Sequence, residues 1–203
     1  MKKTGKLFLF AVLIFLTPSL SFAENSWELK NDKSGIKIYT RRVEGSPILE
    51  FKAETVFDVP IEKVLALYEQ PERMPEWYHN CIESKLLEEI SPDEKVLYFA
   101  LSMPWPVSDR DSIYKRVRSH DPKTGAVSFY ISALPNRLPP HSGRVRVPSI
   151  KTLWRFTPVD EGRSTAVYYQ QHSDAGGSIP AGLVNSLATT IPYHSLKNFR
   201  KLL

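Results

Sequence analysis

The feature that most limits how this chain can fold is a change of hydrophobic period near its end. From Ile36 to Ser173 apolar and polar residues mostly alternate, the pattern of strands that bury one face. Ile36 to Val43 and Ile48 to Phe57 come first. Six more such runs follow over residues 80–90, 94–103, 111–119, 126–134, 144–157 and 164–173. Turn residues separate them: Asn31 to Gly35, Glu44 to Pro47, Pro92-Asp93, Asp121 to Gly125 and Asp160 to Gly162. Roughly eight strands joined by short turns predict an antiparallel meander. Trp27 to Lys30 reads as a short helical or irregular entry to it.

Helical spacing occurs twice. After the second strand, Asp58 is a candidate N-cap, with Pro60 and Glu62 in the first turn. Ile61, Val64, Leu65 and Tyr68 then form one apolar face, and Pro71 and Pro75 break the helix before Trp77. The last segment switches to period 3.6. Ser178 is its candidate cap and Pro180 lies in the first turn. Leu183, Val184, Leu187, Ala188 and Ile191 form a stripe that continues through Leu196, Phe199 and Leu203. Pro192 removes one helical hydrogen bond and is expected to kink it. A long antiparallel sheet must cover its apolar face, and one long helix lying across it does so. The expected class is α+β: a curved antiparallel sheet wrapped around a long C-terminal helix, with an internal apolar cavity where side chains leave space.

The N-terminus carries a different signal. Lys2, Lys3 and Lys6 flank the apolar run Leu7 to Leu16, and small residues Ser21 and Ala23 follow where a signal peptidase reads. Ten apolar residues suit a signal core and fall short of the ~20 that span a bilayer. Residues 1–23 are expected to be a signal peptide cleaved after Ala23, giving a periplasmic or secreted protein. The rival reading is an uncleaved anchor. Cleavage leaves 180 residues, 24–203, as one domain able to bury roughly 70 % of its unfolded surface. It also removes three lysines and no acid, so the net charge falls from +5 to +2. That balance does not suggest the basic patch of a nucleic-acid binder.

Cys81 is the only cysteine, so no internal disulfide forms and packing must supply stability. It is either a reactive thiol or a small buried apolar residue. Enzyme signatures are missing. His79, His120, His141, His172 and His194 make no His-Glu-x-x-His motif, and His79-x-Cys81 has no second ligand pair at metal spacing. No nucleophile elbow or P-loop occurs; Gly176-Gly-Ser178 opens the last helix. No catalytic residue, metal or cofactor is expected.

Four stretches carry a family resemblance. Pro104-Trp-Pro-Val-Ser-Asp-Arg-Asp111 resembles the P-[WF]-P-x-S-x-R-D segment of START domains. Trp27-x-Leu29 with Asp32-x-x-Gly-Ile36 and Tyr39-x-Arg41 agrees in order and spacing. So does Gly143-Arg-Val-Arg146 ahead of Trp154 and Pro158, and so does Tyr168 to Asn185 with Asp174-x-Gly-Gly-Ser-Ile-Pro180. The resemblance spans essentially the whole chain after residue 23. It implies the helix-grip fold (START and Bet v 1-like) and the holding of one lipid in the cavity, in many members with transfer between membranes. Most members are not enzymes.

What the resemblance implies for single residues is more specific. Leu97, Phe99, Leu101 and Met103 share the inward face of one strand, and Ser112, Tyr114 and Arg116 that of the next. Leu183, Leu187 and Ile191 line the pocket from the helix, or simply pack the core. Trp105 stands at the mouth and dips into a bilayer, or packs on the domain itself; an exposed indole prefers the membrane interface. In sterol-binding members an acid matches Leu97 and pairs with the arginine matching Arg116. Here the arginine is kept and the acid is gone, so Arg116 needs another partner, an anionic head group, or solvent. Arg110 and Asp111 point to opposite faces and each ties down a neighbouring segment. Trp77 and Trp154 read as core. The expected partners are a lipid and, transiently, a membrane surface met through the Trp105 loop, with the protein a monomer.

Overall fold

The computed structural model describes residues 26–203; the expected signal peptide, residues 1–23, lies outside the described residues. The strands are β1 (Glu28–Lys33), β2 (Ile36–Val43), β3 (Ser46–Phe57), β4 (Cys81–Ser91), β5 (Glu94–Leu101), β6 (Asp109–His120), β7 (Val127–Ala133), β8 (Arg144–Arg146), β9 (Ser149–Val159) and β10 (Ser164–Asp174). Helices α1 (Ile61–Tyr68) and α2 (Met74–Trp77) interrupt them, and α3 (Ala181–Lys201) follows them. The sheet runs β1-β2-β3-β10-β9-β7-β6-β5-β4, with β8 pairing parallel to β6 at one end. All other pairings along this order are antiparallel.

Among the described residues, ten strands replace the eight expected, for two physical reasons. The entry at Trp27 to Lys30 is not helical or irregular: Glu28 to Lys33 pairs with β2 as an edge strand. Its side chains are almost all exposed, so no buried face imprints a period on the sequence. The expected strand 144–157 is two strands, because Pro148 has no N–H to donate between them. There Val147 N–H instead reaches Asp111 O at 2.9 Å.

Neither expected helix cap is used. The N-cap positions are Pro60 for α1 and Pro180 for α3, both extended and without a side-chain cap bond. Asp58 and Ser178 each lie two residues too early. α3 runs unbroken through Pro192, which divides it into two functions. Beyond Pro192, Leu196 and Phe199 are fully buried, and Phe199 stacks on Phe57 with ring centroids 5.5 Å apart. Before Pro192, the helix overlies open space. Asn185 stitches that half to the sheet where β10 no longer flanks β3: Leu49 N–H donates to its Oδ1 at 2.8 Å, and its Nδ2 donates to Pro47 O at 3.2 Å. One amide side chain thus completes a strand ladder.

Both faces of β5 and β6 are covered. Leu97 faces inward, while Val96, Tyr98, Ala100 and Ile113 form a second small core on the outer face with Leu87 and Leu134. Asp111 faces that outer layer and is fully buried, receiving Arg146 Nε at 3.0 Å and Nη2 at 2.9 Å. Arg146 also donates to the carbonyls of Pro135, Leu138 and Pro139, which fixes the 134–143 loop.

Candidate functional site

Between the sheet and the first half of α3 lies a cavity. Non-atom space within it is about 1060 Å³, open mouth included. The cavity proper is about 140 Å³, some ten times what one water needs. A long-chain ligand therefore enters only if side chains move aside.

Seven of the residues expected to face the cavity line it: Phe99, Leu101 and Met103, Ser112 and Tyr114, and Leu187 and Ile191. Four do not. Leu97 shares their strand face but is sealed beyond the cavity end. Arg116 lies past Tyr114 on the same inward row, 6 % exposed and behind the wall. Leu183 is half-buried and sits on the flank of the lining stripe, which is Val184, Leu187, Ala188 and Ile191 at spacings of three and four. Trp105 is outside, 93 % exposed. It does not pack on its own domain.

The sequence reading missed the walls from β3, β9 and β10. Phe51, Trp154, Tyr169 and Gln171 all line the cavity. Trp154, read as core, is both: its ring stacks on Tyr169 at 3.8 Å while facing the open space. The signal available was the inward row of β10, where Tyr169, Gln171 and Ser173 become steadily more polar. These side chains form a neutral chain of hydrogen bonds in a mainly apolar wall. Tyr78 and Tyr169 hydroxyls meet at 2.9 Å, and Tyr169 Oη and Thr152 Oγ1 donate to Gln171 Oε1 at 3.0 and 2.9 Å.

Burial drives the phenols upward: Tyr78 to about 12, the Tyr169 bond lowering it less than burial raises it, and Tyr169 well above its usual range. A phenol whose folded value lies above its unfolded value of about 10 stabilises the fold fully below pH 10, and that stability is lost as pH climbs towards 12. The urea midpoint should therefore stay level up to pH 9 and fall by pH 11. Tyr78→Phe should flatten the fall; an equally steep decline in this variant would remove Tyr78 as a cause.

Cys81 behaves likewise. Its buried thiol is pushed up to about 12, chiefly by desolvation. The reactive fraction is then on the order of a thousandfold below that of a free thiol. Alkylation at pH 8 should go to completion only in denaturant, and rapid labelling of the folded protein would contradict this placement.

Arg110 is the one charged side chain on the cavity wall among the described residues. It is 5 % exposed and holds three carbonyls: Ser108 through Nη1, Ala175 through Nε at 3.2 Å and Gly176 through Nη2 at 3.0 Å. Ser108 closes the loop that carries Trp105, and Ala175 and Gly176 open the loop into α3. Gly176 is needed there. Its φ is +69°, and a Cβ would lie 3.0 Å from both Arg146 O and Pro148 Cδ. The lining at this end, at Met103, Ala175 and Val184, is half-exposed, whereas Tyr114, Trp154 and Tyr169 at the other end are buried. This end is the mouth. Trp105 stands on it at the tip of a tight turn, with Val107 N–H bonded to Pro104 O at 3.0 Å and Met103 N–H to Asp109 Oδ1 at 3.0 Å.

A curved antiparallel sheet gripping a C-terminal helix over a largely apolar cavity defines the helix-grip class of proteins. The START domain family pattern matches residues 19–203, and the chain belongs to that family. A STAR-related lipid transfer protein from Xanthomonas axonopodis superposes with a TM-score of 0.80 at 34 % identity, covering 87 % of this chain and 97 % of its own. An uncharacterized protein of Pseudomonas aeruginosa is 33 % identical over 94 % of this chain and 92 % of its own. The phosphatidylcholine transfer protein of Rattus norvegicus is 28 % identical over 83 % of this chain and 78 % of its own.

Proposed function

We propose that this protein is an exported carrier that holds a single lipid in its cavity and moves it between membranes, acting by binding and not by catalysis. The observation that carries the reading is Trp105, almost fully exposed at the mouth of a mainly apolar cavity. Drawing a lipid chain into water costs ~0.8 kcal/mol per CH₂, on the order of 13 kcal/mol for sixteen carbons, so spontaneous exchange is slow. A cavity that offers carbon surface in place of water removes much of that barrier. An indole that reaches the acyl boundary while its N–H stays wet brings the mouth to the bilayer. The 134–143 loop leaves the same end of the sheet, because Arg144 is in register with Asp109, and it adds the half-exposed Leu138. The sequence of residues 1–23 supports export, to the periplasm or outside the cell, and the family match supports lipid as cargo. The carrier works as a monomer and without nucleic acid.

Native mass spectrometry of the exported protein should show one bound lipid per chain, several hundred daltons heavier by the size of such ligands. A clean unliganded spectrum, with no uptake from vesicles, would sink the proposal. Trp105→Ala should slow donor-to-acceptor vesicle transfer by about tenfold or more while leaving the melting temperature within a degree or two. Unchanged transfer per folded molecule would make the loop structural. Binding without any vesicle-to-vesicle transfer in the wild type would identify a sensor instead of a carrier.

A further inference from the structure

Two features of the cavity limit what it can hold. The first is its size. At about 140 Å³ it has room for about ten waters, and a methylene takes about the space of one water. A single chain of about ten carbons fills it, whereas the two chains of an ordinary phospholipid bring roughly thirty methylenes. The walls resist the difference. Trp154 stacks on Tyr169 with ring centroids 3.8 Å apart, and Phe51 meets the same Tyr169 edge-on at 4.9 Å. Phe99 meets Tyr78 edge-on at 5.2 Å, and the Tyr78–Tyr169 hydroxyl bond joins the two groups. Each ring is held by its neighbour. Met74 and Met103, unbranched and adaptable, offer slack for a few more methylenes of the same chain. The second feature is where the charge lies. The buried end presents rings and neutral groups whose hydrogen bonds close on one another, from Tyr78 through Tyr169 and Gln171 to Thr152. Arg110, at the mouth, brings a positive charge into the wall at 5 % exposure, and among the described residues the lining holds no carboxylate. Its neighbour Asp109 turns to the opposite face of β6 and accepts Met103 N–H. The three groups that Arg110 holds are uncharged carbonyls, and Nη1 and Nη2 each keep a second hydrogen. A buried cation without a counter-charge is costly, and an anion at the mouth supplies one.

We infer that the cargo is a single-chain lipid with an anionic end, a fatty acid or a lysophosphatidic acid, held tail-first with that end at the mouth against Arg110. This rests on the lipid-carrier reading and narrows its cargo by chain number and by charge. Tail-first seating lays carbon against the aromatic rings and leaves the anion within reach of water, so little of its hydration is lost. The oxygens of a carboxylate or phosphate meet the two remaining hydrogens of the guanidinium as a fork, in a charge-assisted contact. The three carbonyl bonds stay in place, so the loops at the mouth remain joined while the cargo is held.

The test offers the exported protein four lipids in detergent micelles at about pH 9, where the acids are ionised: palmitic acid, hexadecanol, 1-palmitoyl lysophosphatidic acid and dipalmitoyl phosphatidic acid. Native mass spectrometry counts the bound lipid. Wild type should take palmitic acid at least about tenfold ahead of hexadecanol, and the lysophosphatidic acid at least about tenfold ahead of its two-chain counterpart. The larger uptake of the two single-chain acids names the end group. Arg110→Gln should bring the first ratio close to one while hexadecanol still binds. Ala175→Asp, which sets a resident carboxylate beside Arg110, should do the same, and it carries the test should Arg110→Gln fail to fold. Phe99→Ala, which opens the wall, should admit the two-chain lipid that wild type refuses. Equal uptake of palmitic acid and hexadecanol by wild type, or an undiminished preference in both charge variants, overturns the inference. So does ready uptake of dipalmitoyl phosphatidic acid by wild type. Each of these results leaves the carrier reading standing, whereas uptake of none of the four lipids removes that reading as well.

Discussion

Replacing Asp111 with alanine is expected to lower stability by about 3–5 kcal/mol, the scale on which a buried ion pair loses one partner. Asp111 is fully buried, and Arg146 reaches it with two nitrogens. Without the carboxylate, the guanidinium keeps its desolvation penalty and loses its counter-charge. The same guanidinium fixes the 134–143 loop through three carbonyls, so the loop should loosen with it. Urea unfolding checks the size of the loss, and hydrogen exchange across residues 134–143 checks its location. The double variant Asp111→Ala with Arg146→Met should recover part of the loss, because no bare charge then remains. A single-variant loss below about 1 kcal/mol would show that the pair contributes no more than a surface bridge.

The second large effect is functional. Ala188→Trp should cut lipid uptake to about a tenth or less while the protein stays folded, because an indole buries 150–250 Å² where space is already scarce. Ala188 is the smallest side chain in the lining stripe of α3, and it faces the cavity opposite the sheet. The cavity is about 140 Å³, so an added ring competes directly with a ligand chain. Vesicle uptake and a melting curve on the same preparation separate a blocked cavity from a broken fold. Full uptake by a folded variant would mean that the ligand lies elsewhere.

Much of this architecture was legible in the residues, and the limits have physical causes. Strands with one buried face announce themselves by alternation, and the final switch to helical spacing marked α3. β1 was illegible because an exposed edge strand has no face to bury. The division of β8 from β9 was written in Pro148 and overlooked. For the site, alternation showed which side chains of β5 and β6 turn inward, but not where the inward face stops being packed core and becomes cavity. That boundary depends on how far α3 stands off the sheet, a long-range quantity with no local signature. Hence Leu97 and Arg116 group with Phe99 and Tyr114 in the sequence although they lie beyond the wall, Trp154 reads there as core, and nothing singles out Phe51. On α3, one residue is about 100° of rotation, enough to exchange Leu183 for Val184.

Arg110 has a consequence for the way the mouth opens. A guanidinium is flat and stiff, and its donors move together. Ser108 on one loop and Ala175 and Gly176 on the other hang from the same rigid group. Neither loop can swing away without tilting the plane on which the other depends. The rim is therefore bolted at a single point. It should part in one cooperative event, both loops sharing one opening rate, and a molecule held in the cavity would stay enclosed until that bolt is drawn.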